Sequence, residues 1–109
     1  MKNKRLCVIG AGYWGKNHLR TLAHLKVLSG IIELDNQVLN AALNSYPDIR
    51  GHSTVDEALF ENYDAYTIAT PAKTHYEIAK KIIKAKKHVL IEKPMTFSVQ
   101  EAKELVELA

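Results

Sequence analysis

Residues 6–15 read L-C-V-I-G-A-G-Y-W-G, and this stretch decides the fold. Arg5 to Ile9 closes in a continuous apolar run, the pattern of a strand covered on both faces, and Gly10 stops it. Beyond the glycines, Trp14, His18, Leu22 and Leu25 recur at the spacing of one helical stripe about three turns long. Gly10, Gly12 and Gly15 therefore form a G-x-G-x-x-G pattern inside a strand–turn–helix unit. Each glycine has its own steric task there. Gly10 permits the tight turn, Gly12 lets the backbone approach an anion with no Cβ in the way, and Gly15 lets the helix pack close to the sheet. Backbone amides and the positive end of the helix dipole then suit the pyrophosphate of a dinucleotide.

Working outward, Val27 to Leu34 is apolar and β-branched, is interrupted by Gly30, and closes on Glu33 and Asp35. A dinucleotide site needs an acid about 20 residues past the glycines, at the end of the second strand, to accept the adenosine ribose hydroxyls. Glu33 fits that place. Asp35 is the rival, although its position suits the N-cap of the next helix. A carboxylate there repels the 2′-phosphate of NADP, and no arginine follows in E-L-D-N-Q. NAD is therefore the expected cofactor, with NADP left open.

The rest of the chain repeats the alternation. A helix carrying Val38, Leu39, Ala42 and Leu43 must stop before Pro47, and a short strand follows at Ile49 to His52. Ser53 or Thr54 caps a brief helix, V-D-E-A-L-F, and Ala65 to Ala69 is the fourth strand, ended by Thr70 and Pro71. Thr74 with Glu77 makes a capping box for a helix reaching about Lys86, and His88 to Ile91 is the fifth strand. Glu92, Lys93 and Pro94 form its exit loop, and Ser98 with Glu101 caps a last helix. Strands alternating with helices call for a parallel sheet with right-handed crossovers, a doubly wound α/β (Rossmann) architecture. The sequence predicts one domain over residues 1–109. The last helix carries no stop signal, so the chain is expected to be an N-terminal fragment.

Composition narrows the function. The 109 residues are 47% hydrophobic and 25% charged, ordinary for a soluble fold, with no run long enough to span a membrane and no export signal. The five histidines show no metal-ligand spacing, and Cys7 reads as a core thiol, so no metal is expected. The net charge of +3 rests largely on the run from Lys80 to His88, where lysines interleave with Ile82 and Ile83 as the solvated face of a helix. Neither nucleic acid nor membrane is an expected partner, and a cytoplasmic location is.

Three segments together resemble the N-terminal domain of the glucose–fructose oxidoreductase, inositol dehydrogenase and rhizopine-catabolism family of NAD(P)-dependent oxidoreductases. They are G-A-G-Y-W-G-K-N, A-T-P-A-K-T-H-Y-E from Ala69 to Glu77, and I-E-K-P from Ile91 to Pro94. The resemblance implies that Thr70, Pro71 and His75 line the nicotinamide side of the cleft. It also implies that Glu92 and Lys93 contact the nicotinamide ribose and that Lys93, the catalytic candidate, reaches the reacting hydroxyl. Tyr13 and Trp14 fall at the cofactor loop as well, Trp14 packing its helix on the sheet and Tyr13 bordering the nucleotide or a further domain. The implied activity is hydride transfer between the nicotinamide and a hydroxyl of a sugar or nucleotide sugar, in the manner of UDP-N-acetylglucosaminuronate 3-dehydrogenases. A substrate domain beyond the chain and homo-oligomeric assembly of the complete enzyme are implied too, while the isolated domain should hardly turn over. Two other classes share part of the pattern. A Rossmann module that senses NAD(H) to switch a partner leaves E-K-P without a role, and an S-adenosylmethionine-dependent transferase leaves the third glycine unexplained.

Overall fold

The computed structural model describes residues 4–91 and 99–109. The elements are β1 (Leu6–Ile9), α1 (Tyr13–His24), β2 (Leu28–Ile32), α2 (Asn36–Ser45), β3 (Arg50–His52), α3 (Val55–Leu59) and β4 (Ala65–Ile68). A 3₁₀ turn (Ala72–Thr74), α4 (His75–Lys84), β5 (His88–Ile91) and α5 (Val99–Leu108) complete the described chain. All pairings are parallel, and the strand order is β3-β2-β1-β4-β5.

Two cores sit on opposite faces of the sheet because side chains alternate along each strand. Cys7 and Ile9 of β1 and Ile32 of β2 join Tyr66, Ile68, Ala79, Ile82 and Leu105 in the layer under α3, α4 and α5. Val8 and Ile31 point the other way, toward Leu19 of α1 and Leu39 and Ala42 of α2. The order places β1 and β4 side by side although they are distant in sequence, so the chain reverses direction across the sheet between them. An open α/β sheet forms its ligand crevice at that switch point, over the carboxyl ends of the strands.

Several local expectations change. In α1 the buried anchor is Leu19, whereas Leu25, the C-cap residue beyond the last helical turn, is 61% exposed. The fourth strand ends at Ile68 rather than Ala69. Thr54, not Ser53, caps α3, its hydroxyl accepting from the Glu57 amide at 3.1 Å, while the Glu57 carboxylate accepts from the Ser53 amide at 3.2 Å. Thr74 forms no capping box: it is in helical geometry itself, and its hydroxyl is spent on the preceding turn. The capping box of Ser98 lies outside the described residues.

Gly30, which interrupts β2 in the sequence, has a packing role. A Cβ there would stand 2.1 Å from the Tyr63 hydroxyl. That hydroxyl is 2.7 Å from His52 Nε2, and both rings are buried. Cys7 is fully buried, and burial pushes its thiol well above the ordinary range, as befits a core residue.

Candidate functional site

A cleft of about 500 Å³ opens over the ends of β1, β2 and β4, and Gly10, Gly12, Glu33, Thr70 and Pro71 all line it. A hollow of similar size, about 560 Å³, lies between α1 and α2 but holds none of the sequence-predicted site residues. The chemistry-bearing residues therefore select the first.

The loop after β1 is shaped by close approach. Gly10 takes a φ of +97°, and a Cβ on it would meet the Thr70 methyl at 2.9 Å and the Ala69 carbonyl carbon at 3.1 Å. Gly15, in the first turn of α1, rests on that loop so tightly that a Cβ would fall 1.9 Å from the Gly10 carbonyl oxygen. Gly12 differs from both. Its backbone is extended, and a Cβ there would meet no atom within 4 Å, so its lack of a side chain serves nothing inside the protein. It is the N-cap of α1, with no side-chain cap and no acid in the first turn, which leaves the positive end of the helix to an anion.

Glu33 follows β2 and is anchored to this loop. Its Oε1 accepts from the Ala11 amide at 2.8 Å and its Oε2 from the Asp35 amide at 3.0 Å. A carboxylate has about four acceptor positions, so two anchoring bonds leave capacity for ribose hydroxyls. Asp35 is otherwise engaged: its Oδ1 caps α2 by accepting from Gln37 and Val38 amides at 2.9 and 3.2 Å. Asp35 is thus the cap of α2, and Glu33 is the acid that lines the cleft.

At the exit of β4, Thr70 and Pro71 stand in the cleft, while His75 lies beneath it, 1% exposed, with Nε2 2.7 Å from the Thr70 carbonyl oxygen. A carbonyl only accepts, so Nε2 carries the proton. The side chains of Tyr13 and Trp14 and the whole of Glu92 and Lys93 lie outside the described residues; the described part of β5 ends at Ile91, beside the end of β4. The structure also brings to the cleft residues that no motif marks: Leu34, Thr54 and Lys81. The Lys81 ammonium is 3.4 Å from Asp56 Oδ2, joining α4 to α3 at the margin of the cleft. Leu34 and Thr54 stand just past the carboxyl ends of β2 and β3, and Lys81 comes to the margin on α4.

A doubly wound parallel sheet, a glycine turn at its switch point and an acid anchored to that turn define a dinucleotide-binding Rossmann domain. Residues 4–109 match the model of the oxidoreductase family with an NAD-binding Rossmann fold, and the chain belongs to that family. It is 35% identical, over its full length, to UDP-N-acetylglucosamine 3-dehydrogenase from Acidithiobacillus ferrooxidans, covering 34% of that protein. Among solved structures, GenD2 from gentamicin A biosynthesis, in complex with NAD, superposes with a TM-score of 0.92 at 29% identity; the chain is covered completely and GenD2 to 32%. The WlbA dehydrogenase from Chromobacterium violaceum, in complex with NADH and UDP-GlcNAcA, gives 0.92 at 26% identity, with 100% and 32% covered. The chain spans about a third of the length of these relatives. Among the described residues, no group of three His, Cys, Asp or Glu side chains could hold a metal ion, and no helix is long and apolar enough to cross a membrane.

Proposed function

We propose that residues 1–109 form the cofactor-holding domain of a dehydrogenase that moves a hydride between NAD and a hydroxyl of a sugar or nucleotide-linked sugar. One observation carries the reading: the Ala11–Glu33 hydrogen bond ties the glycine loop to the acid of β2, putting a pyrophosphate cradle and a ribose acceptor in one cleft. The open space at Gly12 and the uncapped start of α1 fit a dinucleotide on their own chemistry. When bound, the nicotinamide supplies the hydride acceptor, and the protein supplies position and electrostatics.

In this reading Gly10, Gly12 and Gly15, with Tyr13 and Trp14 beside them, close on the pyrophosphate. Glu33 takes the adenosine ribose hydroxyls and disfavours a 2′-phosphate, so NAD binds better than NADP. Thr70 and Pro71 border the nicotinamide half, supported from below by His75. Glu92 and Lys93 reach the nicotinamide ribose, and Lys93 polarises the reacting hydroxyl. The names of the related dehydrogenases support a sugar or nucleotide-sugar substrate, and family membership supports the oxidoreductase over a sensing module or a methyl transferase. The complete protein is assigned a second, substrate-holding domain, homo-oligomeric assembly and a cytoplasmic location.

The test is Lys93→Ala in the complete protein. Loss of a positioned acid–base group costs about 10²- to 10⁴-fold in turnover, while NADH affinity should fall far less, by about the tenfold that one lost ribose hydrogen bond is worth. Near-wild-type turnover would remove Lys93 from the chemistry.

A further inference from the structure

We propose that the trough between α1 and α2 is a docking surface for an acidic amphipathic helix of a partner protein. The proposal stands apart from the dinucleotide reading, since none of the residues that line the cleft lines the trough.

The charge on its walls is one-sided. Residues 13–32, which include all of α1, contain no acid, and α1 presents Lys16 and Arg20 one helical turn apart on one wall. Arg20 Nη2 is 3.0 Å from Asn17 Oδ1, a neutral neighbour on its own helix, and among the described residues neither cation has an ion-pair partner. The opposite wall is α2. Residues 36–45 carry no charge of either sign, although Gln37, Asn40, Ala41, Asn44 and Ser45 are exposed. In the other helix layer lysines are balanced by acids, as Lys81 is by Asp56 at 3.4 Å. A helix face that meets only water commonly carries charge. A charge-free wall beside an arginine and a tyrosine, Tyr46, has instead the composition of an interface core.

Shape selects a helix as the occupant. Leu19, Val38 and Ala42 give the trough an apolar floor, and the small side chains of Ala41 and Ser45 keep the α2 wall low. The hollow of about 560 Å³ shares Ser45 and Tyr46 with a second of about 310 Å³ that runs on to Ala23, Lys26 and Ile49. The trough therefore follows α1 along its length, roughly 18 Å for a helix of 12 residues. Asp48, the acid on its lining, belongs to the far end, which leaves the end at Lys16 and Arg20 positive. A helix laid there turns apolar side chains to the floor and, from positions i and i+4 on its flank, two carboxylates at the spacing of Lys16 and Arg20. A nucleic acid would leave the apolar floor uncovered, and a compact anion would leave most of the length empty.

The test uses the 109-residue chain and a fluorescein-labelled, alanine-based peptide of about 16 residues, long enough to be helical alone, with glutamates at i and i+4 beside a leucine stripe. Its twin carries lysine at every glutamate. Fluorescence anisotropy should show saturable binding of the acidic peptide and none of the basic one. Lys16→Glu with Arg20→Glu turns two attractions into repulsions and should weaken the acidic peptide about tenfold or more. Ala41→Trp fills the trough without altering charge and should do the same. All three positions are exposed, so the fold should hold, which melting curves check. Lys84→Glu with Lys103→Glu changes the net charge equally on the other helix layer, where screening should keep binding within about twofold, and excess NADH should not displace the peptide. No binding by the unaltered chain, equal binding of the twin, or undiminished binding by either trough variant would overturn the proposal. So would an equal loss in the Lys84 and Lys103 variant, which would reduce the attraction to net charge, or displacement by NADH, which would put the peptide in the cleft.

Discussion

Replacing Gly12 by alanine separates what the glycine loop does for the protein from what it does for a ligand. A Cβ at Gly12 meets nothing within 4 Å, and its φ of −74° is open to any residue. Gly→Ala stabilises by about 0.4–1 kcal/mol through the unfolded chain, and the poorer N-cap that alanine makes at the start of α1 opposes this by a similar amount, so the melting temperature should stay within a few degrees. Binding should collapse. A methyl group placed where phosphate oxygens must come within about 2.9 Å of backbone amides holds them off. Losing two hydrogen bonds to a charged group, at about 1.5–3 kcal/mol each, weakens NADH by roughly two to four orders of magnitude. Thermal melting and calorimetric titration on the same sample read both quantities. Gly15→Ala is the contrast, since its Cβ would fall 1.9 Å from the Gly10 carbonyl oxygen and must move helix or loop. Undiminished NADH affinity in Gly12→Ala would refute the assignment of the loop as the pyrophosphate cradle, and a marked loss of stability would refute the steric argument.

Two further expectations concern the buried polar pair behind β2. Gly30→Ala drives a methyl group into the Tyr63 hydroxyl, 2.1 Å away, and disrupts its contact with His52; overpacking and a stranded polar group together should cost about 3 kcal/mol in denaturant unfolding, and a loss under about 0.5 kcal/mol would show that the strand yields freely. Burial holds the His52 imidazole below its usual 6.5, against an opposing pull from Glu61 and Glu57. The unfolded chain therefore takes up the proton first, and stability present above about pH 6.5 is lost as pH falls toward the lower folded value. Melting temperature should drop between about pH 7.5 and 5.5, and His52→Gln, which cannot titrate, should flatten that slope; an unchanged slope would exclude His52 as its source.

The sheet and its switch point were legible because they rest on local signals. The apolar run of β1, the glycines after it and the acid after β2 each report a backbone need or a two-sided burial within a few residues. The ends of α1 and α4 were harder. Their terminal left-handed positions are held by Lys26 and Lys86, at φ of 63° and 62°, where glycine would have signalled the stop. Thr74 misled for a different reason: S/T-x-x-E spacing reports a capping box only when the threonine is the N-cap in extended geometry, and here a 3₁₀ turn occupies that place. Lys81 was illegible as a site residue because it reaches the cleft only through the packing of α4, whereas Leu34 and Thr54, just past β2 and β3, carry no motif that marks them. The resemblance put His75 in the lining of the cleft, whereas the structure buries it with its Nε2 proton on the Thr70 carbonyl, a placement that no local signal carries.

The most direct test of the central claim is calorimetric titration of the chain with NAD, NADH and NADP in parallel, repeated with Glu33→Ser. The account predicts saturable binding that favours NAD over NADP, and a serine variant that binds NAD more weakly with a narrowed preference. Binding of NADP equal to or tighter than that of NAD, or a preference unchanged without Glu33, would contradict the role assigned to that carboxylate; no binding of any of the three would contradict the dinucleotide site itself.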